Sequence, residues 1–227
     1  MKKLESDKRD LLLAVDVGNT NLTLGVFRDG QLAESWRLKT DPSQTADGWG
    51  VLFGNLFLLA GLQMPDVGGI VISSVVPRLD SSLRKMALRY FKREPLPVSA
   101  ATDTGIVIKT DQPSEVGADR IVNSVAALNR YGGPCIVVDF GTAITFDAIS
   151  PAGEYLGGVI CAGVGISAEA LFRRTARLPQ IDFRKPERVI GANTVASLQS
   201  GLYYGTVGMV EAILERMMGE LGPATKV

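Results

Sequence analysis

The sequence contains no histidine, and only two of its 227 residues are cysteine. Without imidazole there is no serine–histidine or cysteine–histidine nucleophile and no histidine-bound zinc. Any general base must be a carboxylate, a lysine or an oxygen of the substrate itself. Cys135 and Cys161 stand singly in apolar surroundings and form no Cys-x-x-Cys pair. That pattern predicts buried, reduced, structural thiols and suits a reducing cytoplasm. Long apolar runs are lacking as well. The greasiest stretch, Val51 to Leu59, is broken by Gly54 and Asn55 and is too short to span a bilayer. Residues 1–10 are charged and have no signal-peptide core. Neither sign of charge is in excess, with 24 Lys+Arg against 24 Asp+Glu, so no nucleic acid and no membrane surface is an expected partner. The basic cluster from Arg84-Lys85 to Lys92-Arg93 reads as a solvated helix face. A cytoplasmic location is expected. The apolar content of 46% is enough to fill one large domain or two modest ones.

What the chain does have is an aspartate-glycine-threonine loop, twice. Asp16-Val17-Gly18-Asn19-Thr20 ends the apolar run Leu11 to Val15, and Asp139-Phe140-Gly141-Thr142-Ala143 ends the apolar run Cys135 to Val138. Each loop offers a carboxylate for a cation or proton, a glycine that lets backbone N–H groups approach an anion, and a hydroxyl. Two such loops facing each other would clamp a polyphosphate and its metal, which points to a nucleotide-dependent phosphotransferase. The competing reading of either loop alone is a structural β-turn with an Asx-type bond.

The repeat extends beyond the loops. After Asp16 come a strand at Leu22–Phe27, the turn signal Arg28-Asp29-Gly30 and a strand at Leu32–Leu38. After Asp139 come a strand at Ile144–Ile149, the turn Ser150-Pro151-Ala152-Gly153 and a strand at Tyr155–Ile160. Each trio precedes a helical pattern, over Thr45–Leu62 and Ile166–Leu178. Further expected elements are a buried strand over Gly69–Val76, a helix over Arg78–Arg93, a helix over Ala118–Arg130 and a long helix over Thr194–Leu221. Tight turns between successive strands imply antiparallel pairing and argue against a single doubly wound sheet. Gly201, Gly205 and Gly208 lie inside the last helix, where each costs up to about 1 kcal/mol against alanine. They predict a close-packed backbone neighbour, either the chain's own sheet or a second copy.

A third candidate site is Gly117-Ala118-Asp119-Arg120. Pro113 and Gly117 punctuate the approach, so Asp119 and Arg120 fall in the first turn of a helix. There the dipole favours an ionised Asp119, a weak base suited to accepting a proton late, as phosphate leaves ATP for a hydroxyl. Arg120 suits bidentate capture of a carboxylate. The alternative is helix capping plus an Asp–Arg surface pair.

The ordered segments Asp16-Val17-Gly18-Asn19-Thr20-Asn21, Ser74-Val75-Val76-Pro77, Gly117-Ala118-Asp119-Arg120, Asp139-Phe140-Gly141-Thr142-Ala143, Gly157-Gly158-Val159-Ile160 and Asn193-Thr194 closely resemble type III pantothenate kinases. The resemblance runs from about Leu11 to the end. It implies an α/β, actin-like (ribonuclease H-like) fold of duplicated β-β-β-α-β-α domains with the active cleft between them. The implied division is a charged extension over 1–10, one domain over 11–110 and a second over 111–227. The implied activity is phosphorylation of pantothenate by ATP with Mg2+, the first step of coenzyme A synthesis, by a homodimer with substrate near the interface. By the same resemblance Asp16, Val17, Gly18, Asn19, Thr20, Asn21, Leu22 and Thr23 bind ATP phosphates and Thr142 contacts ATP. Gly117, Ala118, Asp119, Arg120 and Thr194 line the pantothenate site, with Asp119 the proton acceptor. Asp139 binds a monovalent cation, K+ or NH4+.

Three departures accompany the resemblance. Thr110 stands where the family often has a substrate-contacting tyrosine, and Cys161-Ala162-Gly163 stands where Pro-Gly is usual. The chain also ends at Ala224-Thr225-Lys226-Val227, about where a further strand and a Thr-Gly-Gly loop begin in the family, so the second domain is expected to be truncated. The alternatives are a catalytically impaired regulatory relative and a sugar or carboxylate kinase on the same architecture.

Overall fold

A computed structural model describes residues 11–174 and 178–227. The extension over 1–10 and the end of the helix expected through Leu178, at Thr175–Arg177, lie outside the described residues. The chain divides into two compact units. The first holds residues up to Asp103 and Ser114–Val122; the second holds Thr104–Pro113 and Asn123–Val227.

In the first unit, strands β1 (Leu11–Val17), β2 (Asn21–Arg28), β3 (Gln31–Lys39), β4 (Val67–Ser74) and β5 (Leu96–Pro97) form one sheet in the order β3-β2-β1-β4-β5. The first three strands are antiparallel and β4 runs parallel to β1. Asp29 (φ 53°) and Gly30 (φ 76°) make the two-residue turn between β2 and β3, the left-handed pair that matches strand twist. Alternation does the rest. Leu11, Leu13, Val15 and Val17 of β1, Leu22, Leu24 and Val26 of β2, and Ile70 and Ile72 of β4 enter one core. Opposite them stand Trp49, Phe53 and Phe57 of α1 (Ala46–Leu59) and Leu79, Leu83 and Met86 of α2 (Pro77–Met86). Burying each large apolar side chain stabilises the unit by about 1.5–3 kcal/mol, an upper figure for a compact unfolded chain. The helix expected over Arg78–Arg93 is shorter. It widens into a π turn at Ala87–Phe91 and stops where Lys92 turns left-handed (φ 58°).

The second unit repeats the motif. Strands β6 (Val107–Ile108), β7 (Cys135–Phe140), β8 (Ala143–Ile149) and β9 (Glu154–Ala162) lie in the order β6-β9-β8-β7, with β7-β8-β9 antiparallel like β1-β2-β3. Ile136, Ile144 and Phe146 face the far half of α5 (Thr194–Leu221), through Val210, Ile213, Leu214 and Met217 among others. Cys135, the first residue of β7, forms a parallel bridge with Lys226, as Leu11, the first residue of β1, pairs in parallel with Val67. Helix α3 (Ala118–Tyr131) spans the division, and α4 covers Val164–Arg174. Cys135 is buried and Cys161 half-buried, and both are free thiols.

The glycines of α5 correct one expectation. A Cβ placed on Gly201, Gly205 or Gly208 meets nothing within 4 Å. No backbone of the described chain packs there, because the sheet is covered by the Met209–Leu221 half of the helix.

Candidate active site

In the first unit Asp16 sits near the end of β1, directly opposite Thr23 of β2 and Ser73 of β4. The Ser73 hydroxyl donates to Asp16 Oδ1 at 3.0 Å. Alternation puts Val15 and Val17 in the core and leaves the Asp16 side chain on the exposed face. The loop that follows is tight, with Gly18 N donating to Asn21 O at 2.9 Å. A Cβ at Gly18 would stand 3.1 Å from that same oxygen, so a larger residue requires the Asn21 carbonyl to give by a few tenths of an ångström. Thr40, at the end of β3, braces it twice: its hydroxyl donates to Gly18 O at 2.7 Å and its N–H to Thr20 O at 3.0 Å. Asn19, Thr20 and Thr23 are exposed, whereas Val17 and Leu22 are buried. Any phosphate contact from those two comes from the backbone.

The same unit carries the start of α3. Asp119 Oδ1 accepts from the Arg120 N–H at 2.7 Å, and Gly117 O accepts from Ile121 N at 3.2 Å. A Cβ at Gly117 would come within 2.6 Å of Asp119 Oδ1 and 3.5 Å of Val75 Cγ1. The glycine thus leaves room for the carboxylate to fold over the helix end, where backbone N–H groups and the dipole favour an anion. Asp119 and Arg120 are half-buried. Ala118 is buried.

In the second unit Asp139 is exposed near the end of β7 and stands opposite Thr145 of β8. Its loop repeats the tight geometry, with Gly141 N donating to Ala143 O at 2.9 Å and Gly163 N to Thr142 O at 3.1 Å. The carbonyls of Gly141 and Thr142 crowd the space a Cβ at Gly163 would fill. Glycine is therefore required at 163, and the preceding Ala162 simply continues β9. Thr142 is exposed. Thr194 is the exposed first residue of α5, behind the N-cap Asn193, whose Oδ1 accepts from Ala196 N at 2.9 Å. The Thr110 Oγ1 is buried without a hydrogen-bond partner, and its methyl lies against Gly157.

Sequence reasoning missed several members. Thr40 and Ser73 hold the first loop, and nothing local marks them except that each is a polar residue within one position of a strand's last residue. On β8, Asp147 is fully buried and accepts the Tyr155 hydroxyl at 2.7 Å. A carboxylate inside the apolar run Ile144–Ile149 is itself a signal, because an unpaired buried charge is strongly disfavoured.

The sequence model of the type III pantothenate kinase family matches residues 12–216. A type III pantothenate kinase from Solibacter usitatus is 58% identical over 216 residues, covering 95% of this chain and 83% of the relative. Another from Koribacter versatilis is 54% identical, covering 96% and 83%. Among solved structures, a candidate Baf family transcriptional activator from Campylobacter jejuni aligns with TM-score 0.52 at 20% identity, over 88% of this chain and 78% of that one. The ethanolamine utilization protein EutJ from Carboxydothermus hydrogenoformans aligns with TM-score 0.51 at 14% identity, over 95% and 74%. At such identity these structures speak for the fold alone, which is the duplicated actin-like α/β fold.

Proposed function

This chain belongs to the type III pantothenate kinase family, and from that membership we infer that it transfers the γ-phosphoryl group of ATP to the hydroxyl of pantothenate, opening coenzyme A synthesis. The observation that carries the reading is the family match across residues 12–216, with the Asp16-Val17-Gly18-Asn19-Thr20 loop, the Asp139-Phe140-Gly141-Thr142 loop and the Asp119 helix start all within it. The pantothenate oxygen forms the new bond to phosphorus as the bond to the β-phosphate oxygen breaks. ADP departs, and the hydroxyl proton passes to Asp119. The chain has no histidine, and the Asp119 carboxylate fills that role.

Backbone N–H groups of the braced loop Asp16–Thr23, with the hydroxyls of Thr20 and Thr23, bind ATP phosphates, and Thr142 adds a further ATP contact. Gly117, Ala118, Arg120 and Thr194 receive pantothenate, Arg120 through its carboxylate. Among the described residues no three metal-binding side chains gather. That donor chemistry suits Mg2+ carried by nucleotide phosphates and met by a carboxylate such as Asp16, rather than an all-protein cage. A monovalent cation, K+ or NH4+, fits Asp139, an exposed carboxylate with the hydroxyl-bearing Thr145 directly across the strand pair. When bound, these cations neutralise charge on the transferring phosphoryl group.

The working form is a homodimer. The open glycine face of α5 supports this, since small residues in a row let a second helix approach closely. The location is cytoplasmic. That agrees with two free thiols and with the finding that no described helix is long and apolar enough to cross a membrane.

The test is turnover. Full-length protein with ATP, Mg2+, K+ and pantothenate should yield phosphopantothenate and ADP in equal amounts. Absence of product across cations and at high ATP overturns the reading. Turnover of other hydroxyl substrates but not pantothenate reassigns it to another small-molecule kinase.

A further inference from the structure

The cation assigned to Asp139 has a second oxygen beside it whose direction the fold controls. Asp139 and Thr145 are directly opposed in the antiparallel register of β7 and β8, so their side chains share one face with Cβ atoms about 4.5–5.5 Å apart. Two residues along β8, on that same face, is Asp147. Exposure falls steadily along this row: Asp139 is exposed, Thr145 half-buried and Asp147 fully buried. The other face of β8 is apolar and committed to the core through Ile144 and Phe146.

The hydroxyl proton is the informative detail. Thr145 Oγ1 donates to Asp147 Oδ2 at 3.4 Å, and Tyr155 Oη fixes the same carboxylate by donating to Oδ1 at 2.7 Å. A hydroxyl has one proton and two lone pairs. With its proton directed at Asp147, Thr145 offers only lone pairs to whatever occupies the Asp139 end of the row. An acceptor-only oxygen next to an exposed carboxylate is what a hard cation requires.

We propose that Thr145 ligates the monovalent cation held by Asp139, and that Asp147 acts as a positioning residue by taking the Thr145 proton. The proposal rests on the reading of Asp139 as the cation's carboxylate, and its test separates the two. The ion itself is the probe: thallium(I), a potassium surrogate, is titrated into the full chain by 205Tl NMR, with and without ADP and with K+ as competitor.

Thr145→Val keeps the β-branched shape of the strand residue and removes only the oxygen. It should weaken thallium binding about tenfold or more. Thr145→Ser, which restores the hydroxyl, should remain within about threefold of the parent. Thr145→Ala provides the same comparison if the valine variant does not fold. Loss of binding in Asp139→Asn together with unchanged affinity in Thr145→Val overturns this proposal alone. No saturable binding by the parent chain, or unchanged binding in Asp139→Asn, overturns the reading of Asp139 and this proposal with it.

Discussion

Ser73 donates its hydroxyl to the Asp16 carboxylate across 57 residues of sequence, at 3.0 Å. The bond joins the faces of β1 and β4 that point away from the Leu13–Ile72 core, so the first loop's carboxylate is aimed by a strand that carries none of the loop itself. Ser73 is 6% exposed, and a donor to a charged group in such a place is worth about 1.5–3 kcal/mol. Ser73→Ala should therefore lower the thermal unfolding midpoint and, by releasing the Asp16 carboxylate, raise the KM for ATP roughly tenfold. A normal KM for ATP would show that Asp16 needs no aiming.

Asp119→Asn tests the base. The substitution keeps the size of the side chain and an oxygen able to accept from Arg120 N. General-base catalysis contributes about 100–10,000-fold, so kcat should fall at least that far with an unchanged unfolding midpoint. Undiminished turnover would remove Asp119 from the chemistry.

Two glycine substitutions should part company. Gly163→Ala drives a methyl into the Gly141 and Thr142 carbonyls and should destabilise the protein and abolish ATP turnover. Gly205→Ala has open space and gains about 1 kcal/mol of helix propensity. It should raise the monomer's unfolding midpoint yet weaken self-association in sedimentation velocity. Self-association unaffected by Gly205→Ala would place the dimer contact elsewhere.

Tyr155→Phe removes a donor from the buried Asp147 carboxylate. Breaking such a bond leaves a charge short of a partner, at a cost of about 1.5–3 kcal/mol. Urea unfolding should show that loss as a lower midpoint with an unchanged slope. An unshifted midpoint would mean Asp147 is satisfied without the tyrosine.

The thiols provide a pH experiment. Burial pushes the Cys135 thiol above its ordinary pKa, so the neutral form is favoured in the folded state. The stability this provides is present below the unfolded thiol's pKa and declines as pH rises through the folded value. Iodoacetamide at mildly alkaline pH should therefore label Cys161 well before Cys135 in the native protein. Equal labelling rates would contradict the burial.

Much of this molecule was readable from local pattern. The two loops, the Asp29-Gly30 turn, the β-β-β trios and the α5 boundaries follow from alternation, turn chemistry and capping, each set by neighbours in sequence. Thr40, Ser73 and the Tyr155–Asp147 pair were not readable in the same way, because their roles depend on which strands lie side by side. Thr40 bonds to Gly18 over 22 residues, and no periodicity reports that. The α5 glycines mark the opposite limit. Their sequence announced close packing, but it cannot say whose backbone supplies it.

The double brace from Thr40 has a kinetic consequence. A loop whose carbonyls are already tied to the neighbouring strand spends its conformational freedom during folding rather than when a ligand arrives. Nucleotide association should then be a single fast phase in stopped flow, its rate rising linearly with concentration. Removing the hydroxyl half of the brace with Thr40→Val should introduce a plateau, the mark of an isomerisation that the parent completes before it ever meets ATP.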